Sequence, residues 1–385
     1  KVSSSNFKLF LIQFEIVFDN LTKKLKFMAY VTLSKSSLQH NYTYLKDLFG
    51  KHEINWAPVL KMLCGNTTYL DFVLNLGEEQ VCDARLGNLK TIKSLKPEKE
   101  TIYIKPPSKH SIKDIVKYAD VSFNTEYITI KWLSEEGKHQ NKTHRIIIMI
   151  ELGDLREGIM GDHLIDFYQK VFDLPNIEVV GIGANLNCLN GVMPSKDKLI
   201  QLSLYEQLIE AKFGKKIVGV SGGSSVMVPL LLKGQIPKGV NHFRIGETLF
   251  FGSDLFNNST IDGMKDDVFL LNSEIIEITE KPVVPYGRIE NNPSGEKTEI
   301  NEDDYGSTQK RAILDIGLLD ISKVDFLFPI DKTLEFIGAS SDMLVLDVSQ
   351  SQKDYKIGDT ISFKMTYMGA LRVMNSKYIQ KKLID

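Results

Sequence analysis

Lys61 ends a mostly apolar run at residues 56–60 and is the first candidate for chemistry in this sequence. Such a run predicts a buried strand, because strands covered on both faces are hydrophobic almost throughout. A lysine at the inner end of that strand would lose hydration, which lowers its pKa and frees the neutral amine for Schiff-base chemistry. The alternative is a lysine that has emerged from the strand into solvent, as most lysines do.

A second set of residues could bind an anion. Glycines let a backbone approach a phosphate closely, serines add hydroxyl donors, and successive amides at a turn form an anion nest. These residues are Ser221, Gly222, Gly223, Ser224 and Ser225. An ordinary loop could have the same composition, so the stretch is informative only if the fold places it beside other reactive groups.

Arg244 is a third candidate, because it stands within an apolar strand-like run at residues 243–247. A buried guanidinium without a partner is costly, so Arg244 requires an anionic ligand or an acceptor. The structural alternative is an ion pair, for which Asp83 and Glu151 are candidates. By contrast, Cys188 is expected to be a small packed thiol rather than a nucleophile.

From Met28 to about Thr260, the spacing of apolar residues alternates between a strand pattern and a helix pattern, and these elements must position the candidate residues. Apolar, β-branched runs lie near 56–62, 79–84, 101–105, 121–125, 145–152, 177–186, 216–221 and 242–247. Stretches of helical period lie at 36–50, 66–77, 86–96, 109–119, 126–137, 162–173, 195–212 and 226–233. Eight strands alternating with helices predict a (β/α)8 TIM barrel rather than an open sheet. Active sites of such barrels lie at the C-terminal ends of the strands, where all three candidates fall.

A second domain is predicted after the alternation stops. Short strands separated by polar loops are expected at 273–280, 310–316, 334–337, 344–348 and 360–366, which indicates an all-β domain. We therefore expect a barrel at 28–261 and a C-terminal β domain at 262–385. Residues 1–27 are apolar but too charged to span a bilayer and lack a clear cleavage site. They are predicted to be an N-terminal extension outside the functional fold.

The composition excludes several classes of protein. The 385 residues carry a net charge of −2, so no basic field points to nucleic acid or to an acidic membrane. The three cysteines show no C-x-x-C spacing, which fits a reducing cytoplasm and argues against a zinc site or a disulfide framework. The seven histidines show no metal-ligand spacing either. These values predict a cytoplasmic globular protein without a metal, a nucleic-acid partner or a membrane anchor.

Seven motifs in order resemble the pyridoxal-phosphate-dependent amino acid racemases of the alanine racemase fold (fold type III), above all their ornithine racemase-like branch. The motifs are Val59-Leu60-Lys61 with Cys64-Gly65, Asp83-Ala84-Arg85-Leu86, Leu152 to Gly158, Asn185-Leu186-Asn187-Cys188, Ser221 to Ser225, Arg244-Ile245-Gly246-Glu247, and Gly338-Ala339-Ser340-Ser341-Asp342. The resemblance covers about residues 28–380. It implies racemisation of a free amino acid, ornithine-like rather than alanine, by a homodimer with sites at its interface.

The resemblance also implies a role for each matching residue. Lys61 matches the lysine that forms the internal aldimine with pyridoxal 5'-phosphate and acts as one proton-transfer base. Arg156 matches the arginine that hydrogen-bonds the phenolic oxygen, Asn185 replaces a ring-packing histidine, and Arg244 matches the arginine facing the pyridine nitrogen. The implied phosphate-binding residues are Ser221, Gly222, Gly223, Ser224, Ser225, Gly246 and Glu247, and Tyr378 is taken as a further cofactor contact.

The identity of Arg244 bears on the type of reaction. Arginine keeps its proton at ordinary pH, so the pyridine nitrogen stays unprotonated and the cofactor is a weaker electron sink. Rapid reprotonation at the α carbon then favours racemisation over transamination. The rival on the same fold, a basic amino acid decarboxylase, normally places an acid there. A non-catalytic carrier of the cofactor is the second alternative, and the β domain argues against it.

The sequence departs from the family at the second base. Alanine racemases supply a tyrosine in Gly-Tyr-x-Asp-Gly from the partner subunit, whereas this chain has Ile316-Gly317-Leu318-Leu319-Asp320. Leucine cannot transfer a proton. Asp320 and Asp342 are therefore the candidate catalytic acids of the β domain, and Tyr286, Tyr367, Tyr378 and Cys188 are further candidates.

Overall fold

The computed structural model describes residues 29–291, 297 and 299–385. The extension predicted at 1–27 lies outside the described residues. The described chain folds into two compact units. One unit consists of residues 32–269 with 383–385, and the other of residues 29–31 with 270–382. The first described strand is β1 (Ala29–Ser34), and helix α1 (Lys35–Lys51) follows it.

Eight parallel strands form a barrel in the first unit. They are β2 (Asn55–Pro58), β3 (Gln80–Asp83), β4 (Glu100–Tyr103), β5 (Val121–Asn124), β6 (His144–Met149), β7 (Ile177–Gly183), β8 (Gly219–Ser224) and β9 (His242–Ile245). Their order in the sheet is β2-β9-β8-β7-β6-β5-β4-β3. A parallel bridge between Val59 and Cys82 joins the two outer strands, and Leu60 N donates to Cys82 O at 2.8 Å. The predicted (β/α)8 barrel is confirmed.

Helices connect these strands on the outside. They are α2 (Thr67–Leu74), α3 (Leu86–Leu95), α4 (Ile112–Tyr118), α5 (Tyr127–His139), α6 (Leu164–Phe172), α7 (Lys196–Phe213), α8 (Val228–Leu232) and α9 (Glu247–Phe251). Asn66 caps α2 within the predicted helical stretch 66–77, because its side chain accepts from Tyr69 N at 2.9 Å. The helix predicted at 109–119 instead begins with a 3-10 turn, since the Ser108 hydroxyl pairs with Ser111 and caps no amide.

The barrel interior is a packed apolar core and not an open channel. Its members include Ala57, Val59, Cys82, Ile102, Val121, Phe123, Ile147 and Met149. Two glycines of β7 face this core: a Cβ on Gly183 would lie 2.9 Å from Met149 Sδ, and one on Gly181 would lie 2.8 Å from Gly219 O. Close packing on every side holds the strand ends in fixed positions, which is what a catalytic site requires.

The second unit is an antiparallel sheet. A short hairpin, β10 (Ser253–Asp254) with β11 (Ser259–Thr260), precedes it. Its elements are β12 (Phe269–Pro282), β13 (Thr308–Leu314), α10 (Leu318–Ile321), β14 (Leu327–Pro329), β15 (Glu335–Ala339), β16 (Leu344–Asp347), β17 (Thr360–Met365), α11 (Tyr367–Asn375) and β18 (Gln380–Ile384). The strand order is β14-β17-β12-β13-β16-β15, with β1 beside β12 and β18. The sequence did not predict β14, β18 or the two helices, nor that β1 pairs with strands so distant along the chain.

A buried histidine at the start of β6 makes the stability of the barrel depend on pH. His144 Nε2 lies 2.8 Å from Ser122 Oγ, and its side chain is buried. Burial lowers the pKa of His144 from 6.5 to about 4, with Asp120 opposing this shift and Arg145 adding to it. The unfolded chain therefore binds a proton before the folded one, and stability is lost as the pH falls from about 6.5 towards 4.

We expect the variant His144→Asn to lose less stability on acidification than the parent protein. The difference between pH 7 and pH 4 should be of the order of 3 kcal/mol, measured by urea unfolding. His139→Asn is the control, because His139 is exposed on α5. Equal acid sensitivity of the parent and the His144 variant would contradict this origin of the pH dependence.

Candidate active site

Lys61 and the Arg244–Glu247 segment come from neighbouring strand ends. Strands β2 and β9 pair in parallel, with Ala57 opposite Arg244. Lys61 begins a 3-10 turn just after β2, and Gly246 follows β9 directly. A Cβ on Gly246 would lie 3.2 Å from Val59 Cβ, so the two strand ends are closely packed. The register therefore brings the aldimine lysine candidate beside the predicted phosphate turn.

The environment of Lys61 is that of a reactive amine. Its side chain is half-buried, which differs from the alternative of a lysine fully in solvent. Burial is the main cause that lowers the pKa of Lys61, and the charge of Arg156 lowers it further. Electrostatic interactions with Cys188, Asp83 and Glu247 raise the pKa of Lys61 and so oppose this shift. A lowered pKa increases the fraction of neutral amine, the form that acts as nucleophile and base.

Asp83 is buried at the end of β3 and is held by its own segment. Its carboxylate accepts from Arg85 N at 2.7 Å and from Asn88 Nδ2 at 3.0 Å. Burial raises the pKa of Asp83 to about 6, while these two hydrogen bonds lower it. Asp83 does not form the ion pair with Arg244 that the sequence left open. Its bonds fix the turn into α3 instead.

Arg244 is buried among neutral acceptors. Its Nη1 donates to Ser221 Oγ at 2.5 Å and to Ser221 O at 3.3 Å, and its Nη2 donates to Ala184 O at 2.8 Å and to Asn185 Oδ1. The guanidinium lies 5.1 Å from the centre of the Phe123 ring. Burial lowers the pKa of Arg244 to about 10, which leaves it charged at neutral pH. Glu151, the other suggested partner, accepts instead from the amides of its own loop.

A chain of hydrogen bonds links Arg244 to Arg156. Asn185 accepts from Arg244 and donates through Nδ2 to Glu157 Oε1. Arg156 donates to both oxygens of Glu157, with Nη2 to Oε1 at 2.6 Å. The bonds to Glu157 are the main cause that raises the pKa of Arg156. One amide and one carboxylate thus link the two guanidinium groups that the family resemblance assigns to the phenolic oxygen and the pyridine nitrogen of the cofactor.

Ser221 links Arg244 to His242 through its hydroxyl group. The Ser221 hydroxyl accepts from Arg244, so its own hydrogen is donated to His242 Nδ1 at 2.7 Å. Burial lowers the pKa of His242 to about 3, and the ring is therefore neutral. A neutral ring adds no positive charge beside the guanidinium. Both hydrogen bonds of the Ser221 hydroxyl are thus made to residues of the barrel. The predicted contact of Ser221 with a phosphate would therefore involve its backbone.

Ser225 joins the two predicted phosphate turns. Its hydroxyl accepts from Gly246 N and from Thr248 N, both at 3.1 Å. Gly223 has φ +149°, a conformation that L side chains rarely adopt, and a Cβ there would lie 2.6 Å from Met227 Cε. Gly222 packs elsewhere, since its Cβ would lie 2.5 Å from Val240 Cγ1. The turn of Gly223 and Ser224 therefore lies beside the start of α9.

Asp154 organises the loop that carries Cys188. Its carboxylate accepts from the amides of Cys188 at 3.0 Å, Leu189 at 2.9 Å, Asn190 at 3.2 Å and Val192 at 3.3 Å. These bonds lower the pKa of Asp154, although burial acts against them. Cys188 is exposed, contrary to the expectation of a packed thiol, because this loop holds it above the strand end.

In the β unit, hydrogen bonds join the segments that carry Asp320, Asp342 and Tyr378. Leu319 N donates to Ser341 O at 3.0 Å, which places the segments of Asp320 and Asp342 side by side. Asp320 Oδ1 accepts from Ser376 Oγ at 3.0 Å, and Asp342 accepts from Ser341 Oγ at 2.8 Å. Tyr378 is exposed, and its amide donates to Ser376 Oγ at 3.2 Å. Their catalytic and cofactor-binding roles remain predictions.

Three residues of the site were not assigned a role from the sequence. Glu157 and Asp154 lie in the quoted motif at 152–158, so their presence was visible but their partners were not. His242 lies two residues before Arg244, and strand alternation could have placed both side chains on one face. What the sequence lacked was the identity of each hydrogen-bond partner across the barrel.

The described residues contain neither a metal-binding cluster nor a membrane-spanning helix. Within residues 29–291, 297 and 299–385, no group of three or more His, Cys, Asp or Glu side chains could hold a metal ion. No helix in the same part of the chain has both the length and the apolar character needed to cross a membrane.

Comparison with known proteins places these features in a family. Residues 33–254 match the family model described as alanine racemase, N-terminal domain. The chain is 39% identical to an ornithine racemase of Acetoanaerobium sticklandii over 355 residues, which is 92% of this chain and 99% of the relative. It is 30% identical to a lysine racemase of Thermotoga maritima over 349 residues, 91% of this chain and 96% of the relative.

Solved structures share the fold. An alanine racemase of Clostridium difficile 630 has a TM-score of 0.70 at 13% identity, covering 94% of this chain and 97% of that one. An alanine racemase from Bartonella henselae with covalently bound pyridoxal phosphate has a TM-score of 0.69 at 14% identity, covering 93% of this chain and 99% of that one. At these identities the likeness concerns the architecture alone.

Proposed function

The chain belongs to the alanine racemase family, and on this premise we propose that it racemises free basic amino acids with pyridoxal 5'-phosphate. Ornithine-like diamino acids are favoured over alanine as substrates. Support for the substrate class comes from the ornithine racemase and the lysine racemase, which match more than nine-tenths of this chain. The proposed reaction exchanges the α proton of an amino acid and inverts its configuration.

One observation carries the proposal: a buried, charged Arg244 bound by neutral acceptors stands on the strand next to that of Lys61. A guanidinium donates hydrogen bonds and has no lone pair with which to accept one. A ring nitrogen that faces it therefore accepts a hydrogen bond and stays unprotonated. A decarboxylase of this fold normally has an acid at this position. The residue present therefore favours racemisation.

The residues at the strand ends fit pyridoxal phosphate. Lys61 offers an amine of lowered pKa, and the turn of Gly223 and Ser224 would offer backbone amides to a phosphate. The amide of Gly246 donates to Ser225 Oγ instead, so Gly246 would support this turn rather than bind the phosphate through its N–H. Gly223 has a backbone conformation that a side chain would strain, as expected where backbone approaches an anion. When bound, the cofactor supplies an electron sink that lets the α proton of an amino acid leave.

The chain's own residues divide the remaining work. Arg156 is held by Glu157 and would orient the phenolic edge of the cofactor. Arg244 would orient the opposite edge, with Asn185 bridging between the two arginines through Glu157. Lys61 Nζ would hold and return the α proton on one face of the substrate. Water has little access to Arg244, which strengthens its hydrogen bonds.

We place the second base in the β domain of a partner subunit. Asp320 and Asp342 are the proposed acids, since Leu318 stands where the family has tyrosine. Tyr378 is proposed as a cofactor contact. A site completed in this way requires a homodimer. The functional domains are proposed as 28–261 and 262–385, and the proposed compartment is the cytoplasm, where the free thiols of all three cysteines would persist.

The experiment is a screen of L-amino acids for α-deuterium exchange in deuterium oxide, with the protein loaded with pyridoxal phosphate. Ornithine and lysine should exchange fastest and lose optical rotation, with alanine and serine slower. Release of carbon dioxide with formation of the achiral diamine, and no D-amino acid among the products, would identify a decarboxylase. No exchange with any amino acid would favour a carrier of the cofactor.

A further inference from the structure

Glu247 follows the strand that pairs with the Lys61 strand, but its carboxylate has no part in the hydrogen-bond network described above. It is the first residue of α9, directly after Gly246, on the strand end that packs against Val59. Its charge raises the pKa of Lys61, in opposition to burial, so the two groups are near enough to interact. The resemblance assigns Glu247 to the phosphate turn, yet a carboxylate repels a phosphate, so only its amide suits that role.

The Glu247 carboxylate is half-buried and has no hydrogen bond or ion pair to any residue in the described part of the chain. Burial raises its pKa, and the charge of Lys61 lowers it. A carboxylate partly removed from water requires a cation or a set of donors. Lys61 supplies that charge only while its amine is protonated, and a lysine acting as base is neutral.

The other carboxylates at these strand ends are already satisfied. Asp83 binds Asn88 and a backbone amide, and Asp154 binds four amides of the Cys188 loop. Glu151 accepts from the amide of Leu155, and Glu157 binds Arg156. Among these five acidic residues, Glu247 is therefore the one with binding capacity left for a ligand.

We propose that Glu247 binds the side-chain ammonium of basic amino acids and thereby selects them over neutral ones. This inference rests on the proposed function and names the residue that sets its substrate class. An ammonium at the end of a three- or four-carbon side chain would supply a cation to this half-buried carboxylate. A neutral side chain of equal length leaves the carboxylate unpaired, so discrimination arises from both attraction and desolvation.

The test compares L-ornithine with L-norvaline, which has the same carbon chain without the terminal amine. In Glu247→Gln, kcat/KM for ornithine should fall about 10- to 100-fold, mainly through KM, because a charge-assisted bond becomes a neutral one. The value for norvaline should change by less than about 3-fold. Glu206→Gln on α7, where the glutamate is also half-buried, is the matched control and should change neither value.

If norvaline binds without turnover, dissociation constants replace kcat/KM in the comparison. They are measured by titrating the pyridoxal-phosphate-loaded protein with each amino acid. An unchanged ratio of ornithine to norvaline affinity in Glu247→Gln, with the cofactor absorbance intact, would overturn the assignment. An equal loss for both amino acids would also overturn it. If the parent protein exchanges no α proton at all, the proposed function fails instead, which separates the two ideas.

Discussion

Replacing Lys61 by alanine is expected to lower racemisation by at least about 10³-fold and to abolish covalent attachment of pyridoxal phosphate. Proton transfer by a positioned base contributes rate factors of this size, and here the same amine also holds the cofactor. The measurements are α-deuterium exchange and the visible absorbance of the protein incubated with pyridoxal phosphate. Borohydride reduction followed by mass spectrometry of the chain identifies the attachment point.

The control for this experiment is Lys105→Ala. Lys105 follows β4 on the barrel and is exposed, so it should retain both activity and cofactor attachment. The Lys61 variant should keep its fold, because its side chain is only half-buried at the start of a turn. A borohydride-reducible visible band that persists in Lys61→Ala would exclude Lys61 as the attachment site.

Replacing Arg244 by leucine is expected to destabilise the barrel by about 3 kcal/mol. The substitution leaves Ser221 Oγ, Ala184 O and Asn185 Oδ1 without their buried donor, and unsatisfied buried groups carry the desolvation penalty. Urea unfolding of the protein without cofactor measures this loss separately from activity. A change below about 1 kcal/mol would show that the bonds to Arg244 contribute little to the fold.

Arg244→Lys separates charge from geometry. Lysine retains the positive charge but cannot bridge Ser221 and Asn185 with a planar fork. We expect an intermediate loss of stability and a greater fraction of turnovers that end in transamination, because the facing nitrogen is no longer held by a fixed donor. Formation of pyridoxamine phosphate, followed by its absorbance, reports this partition. A lysine variant with unchanged stability and partition would contradict a role for the guanidinium geometry.

The order of the elements was predictable because periodicity is local. The run before Lys61, the alternation up to about Thr260 and the polar loops beyond it each depend on neighbours in sequence. The β unit was less predictable. Its strand β18 begins Gln380-Lys381-Lys382, which does not resemble a buried strand, and its partner β1 lies at the other end of the described chain.

By itself, the sequence determined the barrel, the candidate lysine and the set of polar residues at strand ends, since each follows from spacing along one segment. Only the tertiary structure decided which of those residues touch. Arg244 bonds to Ser221 and Asn185 rather than to Asp83 or Glu151, and the Glu247 carboxylate makes no hydrogen bond within the described residues. The physical reason is that parallel register and packing, not local pattern, set the distances between side chains of different strands.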